Sequence, residues 1–137
     1  MEWLSYIFFW TYIGLVLLAG AWGAFLFPKL DFQLLLGLDL QEIPESSRNS
    51  ILSQYRFLRA LELGFGLFAV VYRKEIFKKT SMNVLFLIIM GSGILARTIS
   101  WVADGLPGKI HLFFMFYELI GLLVIAFYTR TKATSNG

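Results

Sequence analysis

Four long apolar blocks separated by short polar stretches make up almost the whole chain. In the first, residues 3–27 carry no charge, and at about 1.5 Å of rise per residue a helix of this length exceeds a ~30 Å hydrocarbon core. The block is too long for the apolar run of a cleaved leader, and Glu2 stands where a leader would be basic, so it reads as a retained span. Pro28 ends it, since a proline ring supplies no N–H to continue a helical ladder. Residues 28–50 form a more polar loop, with Asp31, Asp39, Glu42 and Glu45 against Lys29 and Arg48. Within it, residues 32–40 are apolar but too short to cross, which predicts a segment lying in the interface. Pro44, Glu45, Ser46 and Ser47 predict the start of the next helix, with a serine cap and an acidic residue at the positive end of the dipole. Further spans are expected at 51–72, 81–103 and 110–129. A basic loop with Arg73, Lys74, Glu75, Lys78 and Lys79 joins the second to the third, and Asp104, Gly105, Leu106, Pro107 and Gly108 make a tight turn before the fourth.

Composition agrees with this pattern and narrows the chemistry. Of 137 residues, 58% are hydrophobic and 15% charged, and the mean hydropathy is +0.69, so a separate catalytic domain in water is excluded. The expected fold is all-α, an integral membrane four-helix bundle occupying residues 1–137 as one domain. With no cysteine, thiol redox chemistry and thiolate metal sites are out, and one histidine cannot build a multi-histidine metal site within one copy. No nucleotide loop, zinc signature or nucleophile elbow occurs, so neither a cofactor nor a metal is indicated. The net charge of +3 sits at the ends of the spans and reads as a topology signal, which leaves nucleic acid out as a partner. Arg73, Lys74, Lys78, Lys79, Arg130 and Lys132 outweigh Lys29, Arg48 and Lys109, which places both termini in the cytoplasm. Trp3, Tyr6, Trp10, Trp22, Tyr72, Trp101 and Tyr128 lie near the expected interfaces, as an aromatic belt would.

Ionisable residues inside spans cost about 2.5 to 3.5 kcal/mol each on insertion scales, so Arg56, Arg59, Glu62, Arg97 and Glu118 demand an explanation. By helical rise, Arg59, Glu62, Arg97 and Glu118 are expected roughly 9 to 17 Å below the outer ends of their helices, in one layer. At 100° per residue Arg56, Arg59, Glu62 and Gly66 share a face, as do Met90, Gly93, Arg97, Ser100 and Asp104, and as do His111, Glu118 and Gly121. Gly66, Gly93 and Gly121 fall about one turn below the charges and predict either close helix packing or a small cavity. Gly14, Ala19, Gly20, Gly23 and Ala24 give the first span a close-packing face without a charge.

Residues 56–68, RFLRALELGFGLF, and 93–107, GILARTISWVADGLP, followed by Glu118, resemble a bacterial family of small four-helix membrane proteins catalogued only as a domain of unknown function. The resemblance rests on Arg56 or Arg59 with Gly64 and Gly66, on Arg97, Ser100, Asp104, Gly105 and Pro107, and on Glu118. It implies a fold and a topology and no reaction.

Two readings of the charges stand side by side. Arg59, Arg97, Glu62 and Glu118 balance and can act purely as interhelical ion pairs that fix the bundle. Alternatively Arg56, Arg59 and Arg97 hold the anionic headgroup of a lipid or fatty acid, with Glu62, Ser100, Asp104, His111 and Glu118 around it. The favoured expectation is a protein of the bacterial cytoplasmic membrane that binds or carries such an amphiphile in the outer half of the bilayer. It takes membrane lipids as partners, as a homo-oligomer or within a larger membrane complex. A proton-coupled exporter using Glu62 or Glu118 is a second expectation, and a structural accessory subunit a third. Lipid-directed catalysis through Asp104, His111 and Glu118 lacks a triad or metal set.

Overall fold

The computed structural model describes the backbone of residues 2–135 and the side chains through Arg130. It is all-α: α1 (Glu2–Ala21), α2 (Pro28–Leu36), α3 (Glu45–Val71), α4 (Arg73–Lys78), α5 (Thr80–Asp104) and α6 (Lys109–Ser135). A π-helical turn, Trp22–Leu26, prolongs α1, and a 3₁₀ turn, Leu40–Glu42, precedes α3. Among the described residues there is no strand. Among the described residues, three helices are long and apolar enough to cross a membrane: Glu2–Leu26, Thr80–Asp104 and Lys109–Arg130. The fourth long helix, α3, has 27 residues but carries Arg56, Arg59 and Glu62 in its middle.

The structure corrects two local expectations, the serine cap and the basic loop, and adds detail to a third. The next helix begins at Glu45, so Ser46 and Ser47 lie inside the first turn and do not cap it, while the Pro44 carbonyl accepts from the Arg48 N–H at 2.9 Å. The apolar stretch 32–40 is split by Gly37, whose φ of 63° ends α2 in the left-handed conformation, as glycine does without a Cβ clash. The basic loop coils into α4, because burying Ile76 and Phe77 while exposing Lys74 and Lys78 suits one amphipathic turn and a half.

The chain forms two compact units, residues 13–68 and the remainder. In the first, α1 from Ile13 onward packs antiparallel to α3. A Cβ on Gly20 would stand 2.7 Å from the Leu63 backbone nitrogen, and one on Gly66 would stand 2.7 Å from the Leu17 side chain. The small-residue face expected on the first span is therefore used at Gly20 and Gly23, whereas nothing approaches Gly14 within 4 Å.

In the second unit, α5 and α6 run antiparallel across the turn at Gly105, whose φ is 105°. The two stripes meet at Met90 with Gly121 and at Arg97 with Glu118, and beside them Gly91 lies against Leu122. Gly93, in contrast, has open space around it. The core of this unit is aromatic: Phe9, buried completely, meets Phe77 at 5.3 Å and Phe86 at 5.5 Å between ring centroids. Tyr6 stacks on Phe77 at 4.4 Å and Tyr128 is buried, so these two expected belt residues pack inward. Thr11 and Tyr117 share a hydrogen bond that ties α1 to α6. Elsewhere, Trp3, Leu18, Phe25, Val71, Val102 and Leu106 stay exposed, as lipid-facing side chains do, since lipid tails are as apolar as they are.

Candidate functional site

The densest polar cluster lies in the unit of residues 13–68 and is built from three elements. Pro28, at the first position of α2, needs no N–H partner there and starts the helix, which sets Asp31 in its first turn with only 7% of its surface exposed. Tyr55, Arg59 and Glu62 recur at helical spacing on α3 and share a face. The π-helical turn brings Gly23 against that face, where a Cβ would meet the Arg59 Cγ at 2.6 Å and the Asp31 Oδ2 at 2.8 Å. Glycine is required here by the close approach of Arg59.

Arg59 spends its guanidinium within the cluster. Nε and Nη2 donate to the Tyr55 hydroxyl at 2.9 and 2.7 Å, and Nη1 donates to Glu62 Oε2 at 2.7 Å. Tyr55 donates its own proton to Asp31 Oδ2 at 2.7 Å, and Arg59 Nη2 lies 3.7 Å from the same oxygen. The guanidinium carbon stands 5.0 Å from the Tyr55 ring centre, and Phe32 packs on that ring at 4.8 Å. One arginine thus links two carboxylates through a phenol, with donors and acceptors matched.

Arg56, one turn earlier, does different work. Its Nη1 donates at 2.6 Å to the carbonyl of Ala24, inside the π-helical turn near the end of its helix, where carbonyls lack intrahelical partners. This uses one of its five N–H donors. Arg56 also lines a cavity of about 470 Å³ together with Lys29 and Arg48. Asp39, held to the Gln41 N–H at 2.9 Å, is the acidic residue of that lining, and Leu26, Phe27 and Leu30 supply apolar wall. Three cations against one anion, beside apolar surface, suit an anionic group attached to a hydrocarbon.

The remaining expected residues lie in the other unit. Arg97 Nε and Glu118 Oε2 are 3.5 Å apart and pair α5 with α6. The Ser100 hydroxyl donates to Asp104 Oδ2 at 2.8 Å along the last turn of α5. His111 lies in the first turn of α6, half-buried, its N–H bonded to the Gly108 carbonyl at 2.9 Å. Sequence reasoning missed Asp31 and Tyr55 as members of the Arg59 cluster, and Lys29 and Arg48 beside Arg56. Tyr55 carried a usable signal, being four residues before Arg59 on the same helical face. No group of three or more His, Asp or Glu side chains able to hold a metal occurs among the described residues.

The family described as "Domain of unknown function (DUF4345)" matches residues 2–129, nearly the entire chain. The protein belongs to that family, in keeping with the resemblance read from residues 56–68 and 93–107. No curated protein and no solved structure matches it.

Proposed function

We propose that this chain is a four-span protein of the bacterial cytoplasmic membrane, with both termini cytoplasmic, that binds an anionic amphiphile such as a lipid or fatty acid in its outer half. The observation that carries the reading is the cavity of about 470 Å³ that joins Lys29, Arg48 and Arg56 to the apolar Leu26, Phe27 and Leu30. Arg56 is the residue of the expected set that lines it, and Lys29 and Arg48 complete the headgroup contacts in place of Arg59. Arg59, with Asp31, Tyr55 and Glu62, acts as a positioning cluster that sets α2 against α3 beside the cavity. α3 counts as the fourth span because its 27 residues reach about 40 Å at 1.5 Å each. Its charges are tolerated there because Arg59 is already neutralised by partners and Arg56 caps a carbonyl.

The ion pairs Arg59–Glu62 and Arg97–Glu118 favour a second reading, an accessory subunit in which the charges only join helices. Native mass spectrometry of the protein released from mild detergent separates the two. Arg56→Gln combined with Arg48→Gln is expected to lose the anionic lipid of this cavity while still unfolding cooperatively, its midpoint lowered only by the lost Arg56 bond to the Ala24 carbonyl, and Arg97→Gln keeps the lipid. A wild type that carries no anionic lipid, or a double variant that retains it fully, overturns the binding reading in favour of the accessory one.

A further inference from the structure

A second cavity, of about 460 Å³, lies at the junction of α4, α5 and α6, within the other unit and apart from the cavity lined by Arg56. Its floor is rigid. Ile76 is completely buried and Phe77 nearly so, held by Tyr6 and Phe9, while the Asn83 amide donates to the Ile76 carbonyl at 3.1 Å. Asn83 Oδ1 in turn accepts from the Thr129 hydroxyl at 3.1 Å, so one buried amide, 9% exposed, links all three helices. Lys78, Lys79 and Arg130 stand around this floor, with Thr80 adding a hydroxyl and Val84 and Leu87 continuing down α5 as apolar wall. All of the cavity's charged residues are cationic.

A topology signal needs only a surplus of lysine and arginine near the span ends, without a cavity and without a locked polar floor. Here the cations come from two elements distant in sequence and surround one concave site, whose lower wall is hydrocarbon-like. That combination matches a phosphate group with an acyl chain attached: basic residues for the charge, hydroxyl and ammonium donors for the oxygens, and Val84 and Leu87 for the chain.

We propose that this cavity is a binding site for the phosphate headgroup of an anionic phospholipid in the cytoplasmic leaflet. The site is separate from the amphiphile cavity, and its ligand class follows from its own lining. Each basic residue near an anionic surface contributes on the order of a fivefold preference, so removing two of the three reduces the preference at least about tenfold.

The test uses the full chain in neutral detergent micelles doped with either phosphatidylglycerol or phosphatidylcholine, read by native mass spectrometry. Wild type is expected to retain phosphatidylglycerol over phosphatidylcholine by tenfold or more, the double variant Lys79→Gln with Arg130→Gln, made on the Arg56→Gln and Arg48→Gln background so that the other cavity is already empty, is expected to lose that preference, and Lys79→Arg is expected to keep it. Arg56→Gln with Arg48→Gln serves as the control that separates the two sites: it empties only the other cavity and leaves the preference tested here at half its wild-type value or more. Equal retention of both lipids by wild type, or an unchanged preference in the Lys79/Arg130 variant, overturns the proposal. Inorganic phosphate at millimolar concentration is expected to leave the lipid bound; its displacing phosphatidylglycerol would make this a site for free phosphate and equally overturn the assignment.

Discussion

At the residue scale, the Arg59 cluster shows why a charge inside an apolar helix need not be a ligand contact. Every nitrogen of its guanidinium has a partner within the unit, and two of the three bonds end on a single phenol oxygen. Tyr55 is therefore the hinge of the cluster, accepting two hydrogen bonds from Arg59 and donating one to Asp31. Tyr55→Phe is expected to cost about 1.5 to 3 kcal/mol of stability, the range for hydrogen bonds to charged groups, measured as unfolding of the purified protein in detergent. Combined with Asp31→Ala it should cost clearly less than the two losses added, by about 1 kcal/mol, since both remove the same bond. Strict additivity would mean that Asp31 and Tyr55 act independently. Glu62 and Arg59 were legible as a pair because three residues on one helix share a face. Asp31 was not, because periodicity reports on one helix at a time, and the approach of α2 to α3 depends on the space left by Gly23.

At the element scale, the lengths of the long helices and the small-residue face of α1 were legible, and the local irregularities were not. Apolar runs and helical stripes predicted the α1 packing face and the stripes that carry Met90, Arg97, Glu118 and Gly121, while the partners, Met90 with Gly121 and Arg97 with Glu118, come from the packing of α5 on α6. The π-helical turn has no comparable signature: it widens one turn of an otherwise continuous apolar run, and its consequence, an Ala24 carbonyl offered to Arg56, appears only once α3 lies alongside. Glycines separate along the same line, since sequence marks them all as small and only packing tells which are needed. Gly20→Ala drives a methyl to 2.7 Å from the Leu63 backbone nitrogen, which cannot rotate away, and is expected to cost about 1 to 3 kcal/mol. Gly93→Ala meets no atom within 4 Å and gains helix propensity, so stability is expected to stay level or rise by up to about 1 kcal/mol. Thermal midpoints of the two variants in one detergent check the contrast, and equal losses would show that the α1–α3 contact at Gly20 is not a tight one.

At the scale of the whole molecule, the decisive element is α3, because whether it crosses the bilayer decides the side on which each cavity would open. Its composition leaves it outside the three plainly apolar spans, whereas its length and the neutralisation of Arg59 argue for crossing. If it crosses, the 3₁₀ turn before it and α4 after it lie on opposite faces of the membrane, and the basic surplus puts α4 inside. The chain has no cysteine, so single introduced thiols report position without any background. Gln41 and Glu75 suit this purpose: Gln41 is exposed and Glu75 lies on α4, the loop helix. A membrane-impermeant maleimide is expected to label Gln41→Cys in intact cells and Glu75→Cys only after permeabilisation. Labelling of both from the same side would make α3 a surface helix and would remove the outer placement of the Arg56 cavity. The reverse pattern would invert the topology and exchange the leaflets from which the two cavities draw their ligands.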